Sequence, residues 1–404
     1  MKTKRIISII LALVVILCLA ACGNTSNAGQ TAPAAQENTA SAEPAAEPAE
    51  PAETVENEAG GNTIGAGFKL PGDLPHKKVA AIGIYSGMEL YTQWKKNMET
   101  LLEPFNIEIQ FIETSTGTEL ESVVESVCVA GVDGIIAQNY SETGIQIAQE
   151  YGVPWVTYCT TVTPETLKIL AGYDNFLGVV TEDDVAGAEH CAQSMYDAGC
   201  RKVALVGLSR GLSDMMDYRA DSFIETFKSL GGEIIAEDYS LMAFNDAIAT
   251  IAASHPEMDG MFFTMMNDGV FQALTTEGLV GKVKVGCFDF SDSAEDFFDN
   301  GMLVFAAGGQ SATMNCAFPV LYSYMYDGTY LIPDRTQTVF RDFIEIHNSD
   351  EFVNYNEYVR YSPCYTPDEL GSMVPGLNPD FTFEEYEQIN ANFSIEDVMN
   401  RAAG

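Results

Sequence analysis

The part of the sequence that begins at Lys77 alternates short apolar runs, rich in β-branched residues, with longer amphipathic stretches. The apolar runs lack the polar alternation of a half-exposed strand, which indicates strands buried on both faces of parallel sheets. Strands are predicted at 79–84, 107–112, 134–137, 154–158, 202–206, 233–236, 260–264, 283–288 and 302–306. Helices are predicted between them, among others at 120–130, 145–151, 185–198, 223–230, 247–253 and 312–326. This order predicts an α/β protein built from doubly wound parallel sheets.

Two short motifs occur twice in this region. Lys-Val-Ala stands at 78–80 and again at 202–204, and Asp-Gly precedes an apolar run at 133–134 and again at 259–260. The offsets of 124 and 126 residues place both motifs at corresponding points, on the first and the third strand of each half. The repeat predicts that one lobe duplicates the other and that two similar lobes face a shared cleft.

The charge balance excludes one large class of partners. Of 404 residues, 58 are acidic and 20 are basic, which gives a formal net charge of −38. A chain this acidic repels phosphate backbones, so no nucleic acid is predicted as a partner. With 47% hydrophobic and 19% charged residues, the body of the chain has the composition of a folded globule, and its length favours two or more domains.

The first residues have the layout of an export signal. Basic residues precede an apolar run at 6–21 that is short for a bilayer span, so 1–21 is predicted to be a signal peptide. The run ends in Leu-Ala-Ala directly before Cys22, which resembles the lipobox of bacterial lipoproteins. That resemblance implies that Cys22 carries fatty acyl chains such as palmitate, which anchor the protein at the extracytoplasmic face of the cell membrane. The alternative is an ordinary signal peptide followed by a chance cysteine.

The α/β region is flanked by two segments of different character. The segment 22–66, the lipid anchor and linker, consists mainly of Ala, Pro, Glu, Asn, Thr and Gly and is predicted to be disordered, because it cannot bury a core. The segment 347–404 is a C-terminal extension. In it, Thr366 as a cap and Pro367 at the first helical position predict one helix start, and 383–386 predicts another. Its aromatic residues predict that it docks onto a lobe.

The cysteines and histidines point to neither a disulfide framework nor a metal site. Seven cysteines follow Cys22, an odd number at spacings that fit no zinc motif: Cys128, Cys159, Cys191, Cys200, Cys287, Cys316 and Cys364. Most lie in apolar segments and are predicted to be buried free thiols, with a Cys191–Cys200 bridge as the alternative. The histidines stand singly, so no metal is predicted. No cofactor is predicted either, since no G-x-G-x-x-G follows the first strand.

The predicted strand ends supply a candidate ligand site. In open parallel sheets, ligands bind beyond the carboxyl ends of the strands. The segments that follow those ends carry aromatic, carboxylate and amide side chains: Tyr91, Tyr158, Asp217, Phe244, Asn267 and Asp289. Aromatic faces stack on the C–H faces of sugars while carboxylates and amides bind hydroxyls, so this set favours a neutral polyol. The alternative roles are core packing for the aromatic residues and helix or turn capping for the polar ones.

From Lys77 to residue 346 the chain resembles the type I periplasmic binding proteins, the ribose-type and lac-repressor-like sugar receptors. The motifs that carry the resemblance are Ala-Gly-Val-Asp-Gly-Ile-Ile at 130–136, Tyr-Gly-Val-Pro-Trp-Val-Thr at 151–157, Asn267-Asp268, Phe288-Asp289 and Gln310. The resemblance implies two doubly wound lobes joined by a hinge. The N-terminal lobe is predicted at 77–181 plus 311–338 and the C-terminal lobe at 182–310 plus 339–346.

The resemblance also implies roles for individual residues. Tyr91 and Phe244 match the stacking aromatic residues of the family, and Asn267, Asp289 and Gln310 match its polar clamp.

Four residues depart from the family pattern or bear on it. Cys159-Thr160 replaces the family's Asp-Arg pair, and Asp217 replaces a ligand-binding arginine, while Arg219 matches an arginine that is mainly structural. The departures remove the arginines that would bind sugar hydroxyls, so pentose specificity does not follow. An aspartate in place of an arginine disfavours anionic ligands and admits hydroxyl donors or an amine.

The family implies a monomeric solute-binding lipoprotein, not an enzyme, that delivers its ligand to an ABC permease. One alternative is a ligand sensor that signals to a membrane receptor. Another is a serine esterase, because Gly-Leu-Ser-Arg-Gly at 207–211 follows a predicted strand, with Asp289 and His347 later in the chain. A nucleophile elbow requires a helix directly after Ser209, and the predicted loop continues to Asp214, which disfavours the esterase.

Overall fold

The computed structural model describes residues 64–83, 89–114, 117–240 and 243–403. The predicted signal peptide, the lipidation site Cys22 and the linker up to residue 63 lie outside the described residues. None of the helices in these ranges is long and apolar enough to cross a lipid bilayer.

Twelve strands in the described ranges form two six-stranded sheets. The first sheet has the order β11-β5-β4-β3-β1-β2 and the second the order β12-β10-β9-β8-β6-β7. The strands of the first sheet are β1 (Lys77–Gly83), β2 (Ile107–Glu113), β3 (Gly134–Ala137), β4 (Trp155–Tyr158), β5 (Phe176–Glu182) and β11 (Thr338–Arg341). Those of the second sheet are β6 (Lys202–Val206), β7 (Glu233–Asp238), β8 (Gly260–Phe263), β9 (Lys284–Phe288), β10 (Leu303–Gly308) and β12 (Ile344–Ile346). All neighbouring strands are parallel except β10 and β12.

Helices connect the strands and cover both sheets. Those of the α/β region are α1 (Glu89–Leu102), α2 (Gly117–Val129), α3 (Glu142–Glu150), α4 (Pro164–Leu170), α5 (Asp184–Asp197), α6 (Asp214–Ser229), α7 (Phe244–Ser254), α8 (Asp268–Thr276), α9 (Ala294–Asp299) and α10 (Thr313–Asp327). The C-terminal extension contributes α11 (Ser349–Tyr355), α12 (Pro367–Ser372), α13 (Phe383–Ala391) and α14 (Ile395–Ala403). We call the first sheet with its helices the first lobe and the second sheet with its helices the second lobe.

The central strands are buried on both faces, as their sequences predict. Every residue of β3, β4 and β8 is buried, and so are the last five residues of β1. Burial on both faces excludes the polar alternation of an exposed sheet, because no residue of such a strand contacts water. The predicted fold class, α/β with two doubly wound lobes, is confirmed.

The two lobes repeat one topology. The order β5-β4-β3-β1-β2 in the first sheet corresponds strand by strand to β10-β9-β8-β6-β7 in the second. At the edge, β11 lies next to β5 as β12 lies next to β10. The predicted repeat falls at matching places in the register, since Val79 pairs with Gly134 and Val203 pairs with Gly260.

Three strands were not predicted from the sequence. The largest is β5, whose seven residues are all buried. Gly178 lies inside it with φ of +125°, and the pairing of β4 with β5 shifts register there. A bulge at a glycine breaks the continuous β-branched run by which buried strands are recognised. The short edge strands β11 and β12 mix polar and apolar residues and lack that run as well.

The chain crosses between the sheets three times within the α/β region. It passes from β5 to α5, from β10 to α10, and from β11 to β12. Arg341 of the third crossing joins all three. Its Nη2 donates to Glu182 Oε1 and to the Gly309 carbonyl, both at 2.9 Å, and its Nε donates to Thr313 Oγ1 at 3.2 Å. Arg341 and Glu182 are fully buried, so the crossings form one tightly connected hinge.

The extension starts its helices where the sequence predicts. Thr366 caps α12, which begins at Pro367, and its side chain forms a capping box with Glu369. Thr382 caps α13 in the same way. The predicted docking of the extension is also observed, since α11 packs on α9 and β12 of the second lobe, whereas α13 packs on β11 of the first.

Candidate functional site

The loops that leave the carboxyl ends of the parallel strands form the candidate site. Those described in the first lobe follow β3 and β4, and those in the second lobe follow β6, β8 and β9. Two side-chain contacts identify where the lobes meet. Gln310, on the second crossing, bonds to Asp289 after β9, and Thr161, after β4, bonds to Asp184 at the start of α5.

Asp289 and Gln310 are the predicted site residues that the structure brings together. Gln310 Nε2 donates to Asp289 Oδ1 at 2.7 Å. Asp289 has a left-handed backbone with φ of +58°, which few residues other than Gly, Asn and Asp adopt readily. Burial raises the pKa of Asp289, and Arg219 works in the opposite direction. Both side chains are only partly buried, and their hydrogen bond leaves the second carboxylate oxygen of Asp289 and the amide oxygen of Gln310 as further hydrogen-bond acceptors.

A buried charged group that the sequence analysis missed lies beside this pair. Asp184 Oδ1 accepts a hydrogen bond from Arg219 Nε at 2.7 Å, and its Oδ2 accepts one from Thr161 Oγ1 at 2.6 Å. Burial raises the pKa of Asp184 to about 6 despite the neighbouring guanidinium. The sequence feature that could have indicated this group is the pair of adjacent acids, Asp183 and Asp184, at the start of a predicted helix.

Arg219 has the structural role that the family resemblance implies. Its side chain is 1% exposed, and its Nη1 donates to the Thr264 carbonyl at 3.0 Å. The guanidinium carbon lies 4.2 Å from the centre of the Phe288 ring. Arg219 therefore fixes the ends of β8 and β9, from which the loops carrying Asn267 and Asp289 begin.

Asp217 is already paired within the second lobe. Its Oδ2 accepts a hydrogen bond from the Gly211 backbone N–H at 2.8 Å, and its Oδ1 lies 3.6 Å from Arg210 Nη1. Arg210 also donates to the Tyr239 hydroxyl at 2.6 Å and lies over that ring. Asp217 thus stabilises the loop after β6 from the first turn of α6, and its role as a ligand contact stays a prediction.

Phe244 and Asn267 also make local contacts. Phe244, the first residue of α7, is 1% exposed and packs in the core of the second lobe, so its ring is closed to a ligand in this structure. Asn267 caps α8, and its Oδ1 accepts a hydrogen bond from the Gly269 N–H at 3.0 Å. The Asn267 amide nitrogen remains a donor that this cap does not use. Their roles as ligand contacts stay predictions.

The structure places the aromatic candidates of the first lobe less completely. Tyr91 lies in α1, but its side chain is outside the described part of the chain. Tyr158 is 1% exposed, and its ring centre is 6.3 Å from that of Trp94. Cys159, where the family has an acid, is buried with a left-handed φ of +49°. This position turns the chain sharply at the end of β4.

The residues of the esterase alternative belong to different networks. Ser209 Oγ donates to the Tyr239 carbonyl at 3.0 Å. The helix after Ser209 begins only at Asp214, so the loop lacks the immediate helix start of a nucleophile elbow. His347 lies 3.7 Å from Glu345 Oε2 and contacts the Phe305 ring.

The described residues contain no cluster of three or more His, Cys, Asp or Glu side chains arranged to bind a metal ion. The seven cysteines after Cys22 are all buried and unpaired, so the alternative Cys191–Cys200 bridge is absent from the structure.

The arrangement suits binding more than bond-breaking. It offers the Asp289 carboxylate and the Gln310 amide where the second crossing leaves the second lobe, and the neighbouring Arg219 and Arg341 are buried. Such groups bind the hydroxyls of a neutral solute, since a carboxylate accepts hydrogen bonds and an amide both donates and accepts them.

Neither a protein-family model nor a curated protein matches the sequence, whereas many solved structures match the fold. An ABC transporter solute-binding protein from Agrobacterium vitis, bound with α-D-tagatopyranose, is 19% identical with a TM-score of 0.57, over 68% of this chain and 95% of its own. One from Actinobacillus succinogenes with bound D-allose is 18% identical with a TM-score of 0.61, over 69% of this chain and 100% of its own.

A third similar structure is a carbohydrate transporter from Acidothermus cellulolyticus in complex with myo-inositol. It is 16% identical with a TM-score of 0.59, over 71% of this chain and 99% of its own. At these identities the likeness establishes the fold. The matches cover nearly the whole of each similar structure and leave about three-tenths of this chain without a counterpart.

Proposed function

We propose that this chain, which has the fold of the type I periplasmic sugar-binding proteins, captures a small neutral sugar or polyol between its lobes. The observation that carries the proposal is the Asp289–Gln310 hydrogen bond, because it places a carboxylate and an amide where the second crossing meets the loop after β9. Similar folds that contain a tagatose, an allose and an inositol support this ligand class.

The proposed site consists of Tyr91, Asp217, Phe244, Asn267, Asp289 and Gln310. Asp289 and Gln310 act as the hydroxyl-binding pair, and Asn267 contributes its amide nitrogen. Asp217 reaches a ligand only if its bonds to Gly211 and Arg210 rearrange, and Phe244 only if α7 shifts, because both are engaged in this structure. Asp289 and Gln310 are therefore the first residues to test.

The proposed partners are an ABC permease, which recognises the ligand-bound protein, and the membrane. Acyl chains attached to Cys22 anchor the protein in that membrane. The protein acts as a monomer and not as an enzyme. A rival outcome is a sensor that uses the same cleft but signals to a membrane receptor. Radiolabelled uptake in cells that lack this protein separates the two, because only the transport role predicts loss of uptake of the bound solute.

Isothermal titration calorimetry with D-tagatose, D-allose, myo-inositol, an amino sugar and nucleosides tests the binding proposal. We expect saturable micromolar binding of at least one sugar or polyol. A charged hydrogen bond contributes about 1.5 to 3 kcal/mol, so Asp289→Ala weakens this binding by about tenfold or more.

The matched control is Asp299→Ala, since Asp299 is exposed at the end of α9. It leaves the affinity unchanged. Absence of saturable binding across all these classes, or equal affinity for wild type and Asp289→Ala, contradicts the proposed site.

A further inference from the structure

The C-terminal extension is attached to both lobes. On the second lobe, the ring of Phe352 in α11 packs against Phe290 with centroids 5.6 Å apart. On the first lobe, the Tyr386 hydroxyl donates to the Cys316 carbonyl at 2.5 Å. The chain therefore passes between the lobes a fourth time, in the segment 356–365 that separates α11 from the first-lobe contacts. We call this segment the strap.

In each lobe the strap contacts an element that carries a candidate ligand-binding residue. Arg360 Nη1 lies 2.5 Å from Asp292 Oδ1, and the Tyr361 hydroxyl donates to the same oxygen at 3.4 Å. Asp292 belongs to the loop that begins at Asp289. On the first lobe, Gln93 of α1 donates to the Tyr361 carbonyl at 3.4 Å. Gln93 follows the candidate ligand residue Tyr91 by two positions.

The residue just before the strap holds the second crossing. The Tyr355 hydroxyl, at the end of α11, accepts a hydrogen bond from the Gly309 N–H at 3.2 Å, next to Gln310. Both members of the Asp289–Gln310 pair are thus adjacent to a residue that the extension binds. Separation of the lobes would move the loop after β9 away from α1. The strap would then lose its contact with either that loop or α1.

The contact between the strap and the first lobe is partly polar, unlike the contacts of α11, which precedes the strap. The underside of the strap encloses a cavity of about 10 Å³ that is lined by Trp94, Asn315 and Arg360, a volume that suits about one water molecule. The buried atoms Asn315 Oδ1 and Arg360 Nε have no hydrogen-bond partner among the described residues. A polar interface of this kind loses little when water enters, whereas the apolar contacts of Phe352 resist separation.

We propose that Arg360 is a positioning residue for the cleft, which holds the loop after β9 toward α1 through Asp292 and thereby favours the closed arrangement without ligand. Arg360 is 8% exposed, so its side chain is held in place, while Asp292 on the loop after β9 is exposed. A protein whose binding-competent state is more populated binds its ligand more tightly in proportion. This consequence for affinity rests on the proposed function, but the closure itself does not.

The test measures the distance between the lobes without any ligand. Lys168→Cys on α4 and Lys228→Cys on α6 place two exposed thiols on opposite lobes for spin or dye labels, and the native cysteines of the described part are buried. We expect Asp292→Asn to lengthen and broaden the distance distribution of the otherwise unchanged, ligand-free protein. Asp292→Glu, which keeps the charge, retains the wild-type distribution, and so does the exposed control Asp299→Asn.

Salt provides a second measurement. Because the Asp292 carboxylate is exposed, 1 M NaCl weakens its ion pair with Arg360, so the wild-type distance lengthens in salt while that of Asp292→Asn does not. Identical distributions for wild type and Asp292→Asn at both salt concentrations overturn the proposal. If a solute is found to bind, we expect Asp292→Asn to raise its dissociation constant severalfold and Asp292→Glu to leave it near the wild-type value.

Discussion

Asp133 and Asp259 occupy equivalent positions in the two sheets. The Asp133 carboxylate accepts a hydrogen bond from the Lys78 N–H at 2.8 Å, and the Asp259 carboxylate accepts one from the Lys202 N–H at 2.9 Å. Each aspartate's own N–H donates to the carbonyl of the same lysine, at 2.7 and 3.1 Å. The start of the first strand is therefore joined to the start of the third in the same way in both lobes.

Removal of either carboxylate is expected to destabilise its own sheet. Asp133→Ala and Asp259→Ala each lower the free energy of unfolding by about 1 kcal/mol, because strand-end N–H groups lose a charged acceptor. We expect similar losses, because each carboxylate has a further donor: Lys77 Nζ lies 3.2 Å from Asp133, and the Arg201 N–H donates to Asp259 at 3.0 Å. Urea denaturation followed by circular dichroism measures both. Asp299→Ala serves as the exposed control, and equal midpoints for all four proteins contradict the expectation.

The repeat was predictable because it depends on local sequence. Lys-Val-Ala marks the start of the first strand of each lobe, and Asp-Gly marks the start of the third. These two strands are neighbours in each sheet, where Val79 pairs with Gly134 and Val203 with Gly260. The strand β5 was not predictable by the same reasoning. Gly178 adopts its positive φ where a Cβ atom would lie 2.8 Å from Ile332 Cδ1, a contact 154 residues distant in sequence.

The site was predictable only in part for a related reason. Asp289 and Gln310 follow the ends of consecutive strands, β9 and β10, so their proximity follows from the topology. The burial of Phe244 depends instead on packing in the core, and the pairing of Asp217 with Gly211 and Arg210 on how the loop after β6 folds back on α6. Strand and helix periodicity carries no information on that. Asp184 was missed because its partners Thr161 and Arg219 come from separate elements.

Arg341 is expected to be the most costly hinge residue to replace. Arg341→Met leaves the Glu182 carboxylate buried without its cation, and breaking a buried pair in this way costs about 3 to 5 kcal/mol. Glu182→Gln combined with Arg341→Met removes that uncompensated charge, so the double variant loses less than the sum of the single losses. Chemical denaturation of the four proteins of this cycle gives the coupling energy. Strict additivity is the contrary result.

The coupling energy of this cycle is informative because Arg341 has hydrogen-bond partners other than Glu182. Its hydrogen bonds to the Gly309 carbonyl and to Thr313 do not involve Glu182, so we expect Glu182→Gln to leave them in place. Thr313 Oγ1 also donates to Glu182.

The acidic group between two histidines predicts a pH dependence of stability. Glu345 Oε1 lies 2.6 Å from His190 Nδ1, and its other oxygen lies near His347. The interaction with Glu345 raises the pKa of His347. Burial works against ionisation of Glu345, but the two histidines lower the pKa of Glu345 overall.

The signs of these shifts define where the site stabilises the fold. A raised histidine pKa adds stability below its unfolded value of about 6.5, and this is lost as the pH rises through the folded value. A lowered glutamate pKa adds stability above about 4.3, and this is lost as the pH falls through the folded value. We expect His347→Gln to shift the urea midpoint more at pH 5.5 than at pH 8. In a Glu345→Gln background the difference between the two pH values disappears; its persistence there assigns the effect to another group.

The buried thiols are expected to react only when the fold opens. The thiolate is the reactive form, and burial raises the pKa of Cys128 to about 11 and that of Cys200 to about 12. Differential alkylation with isotopically distinct iodoacetamides, before and after unfolding in guanidinium chloride, assigns each cysteine by mass spectrometry. Cys128, near the end of α2, labels first because helix ends open locally, whereas Cys191 and Cys287, both 0% exposed, label with global unfolding. Early labelling of Cys287 contradicts its place between the strands and helices of the second lobe, and an unlabelled Cys191–Cys200 pair in unreduced protein establishes the bridge that this structure lacks.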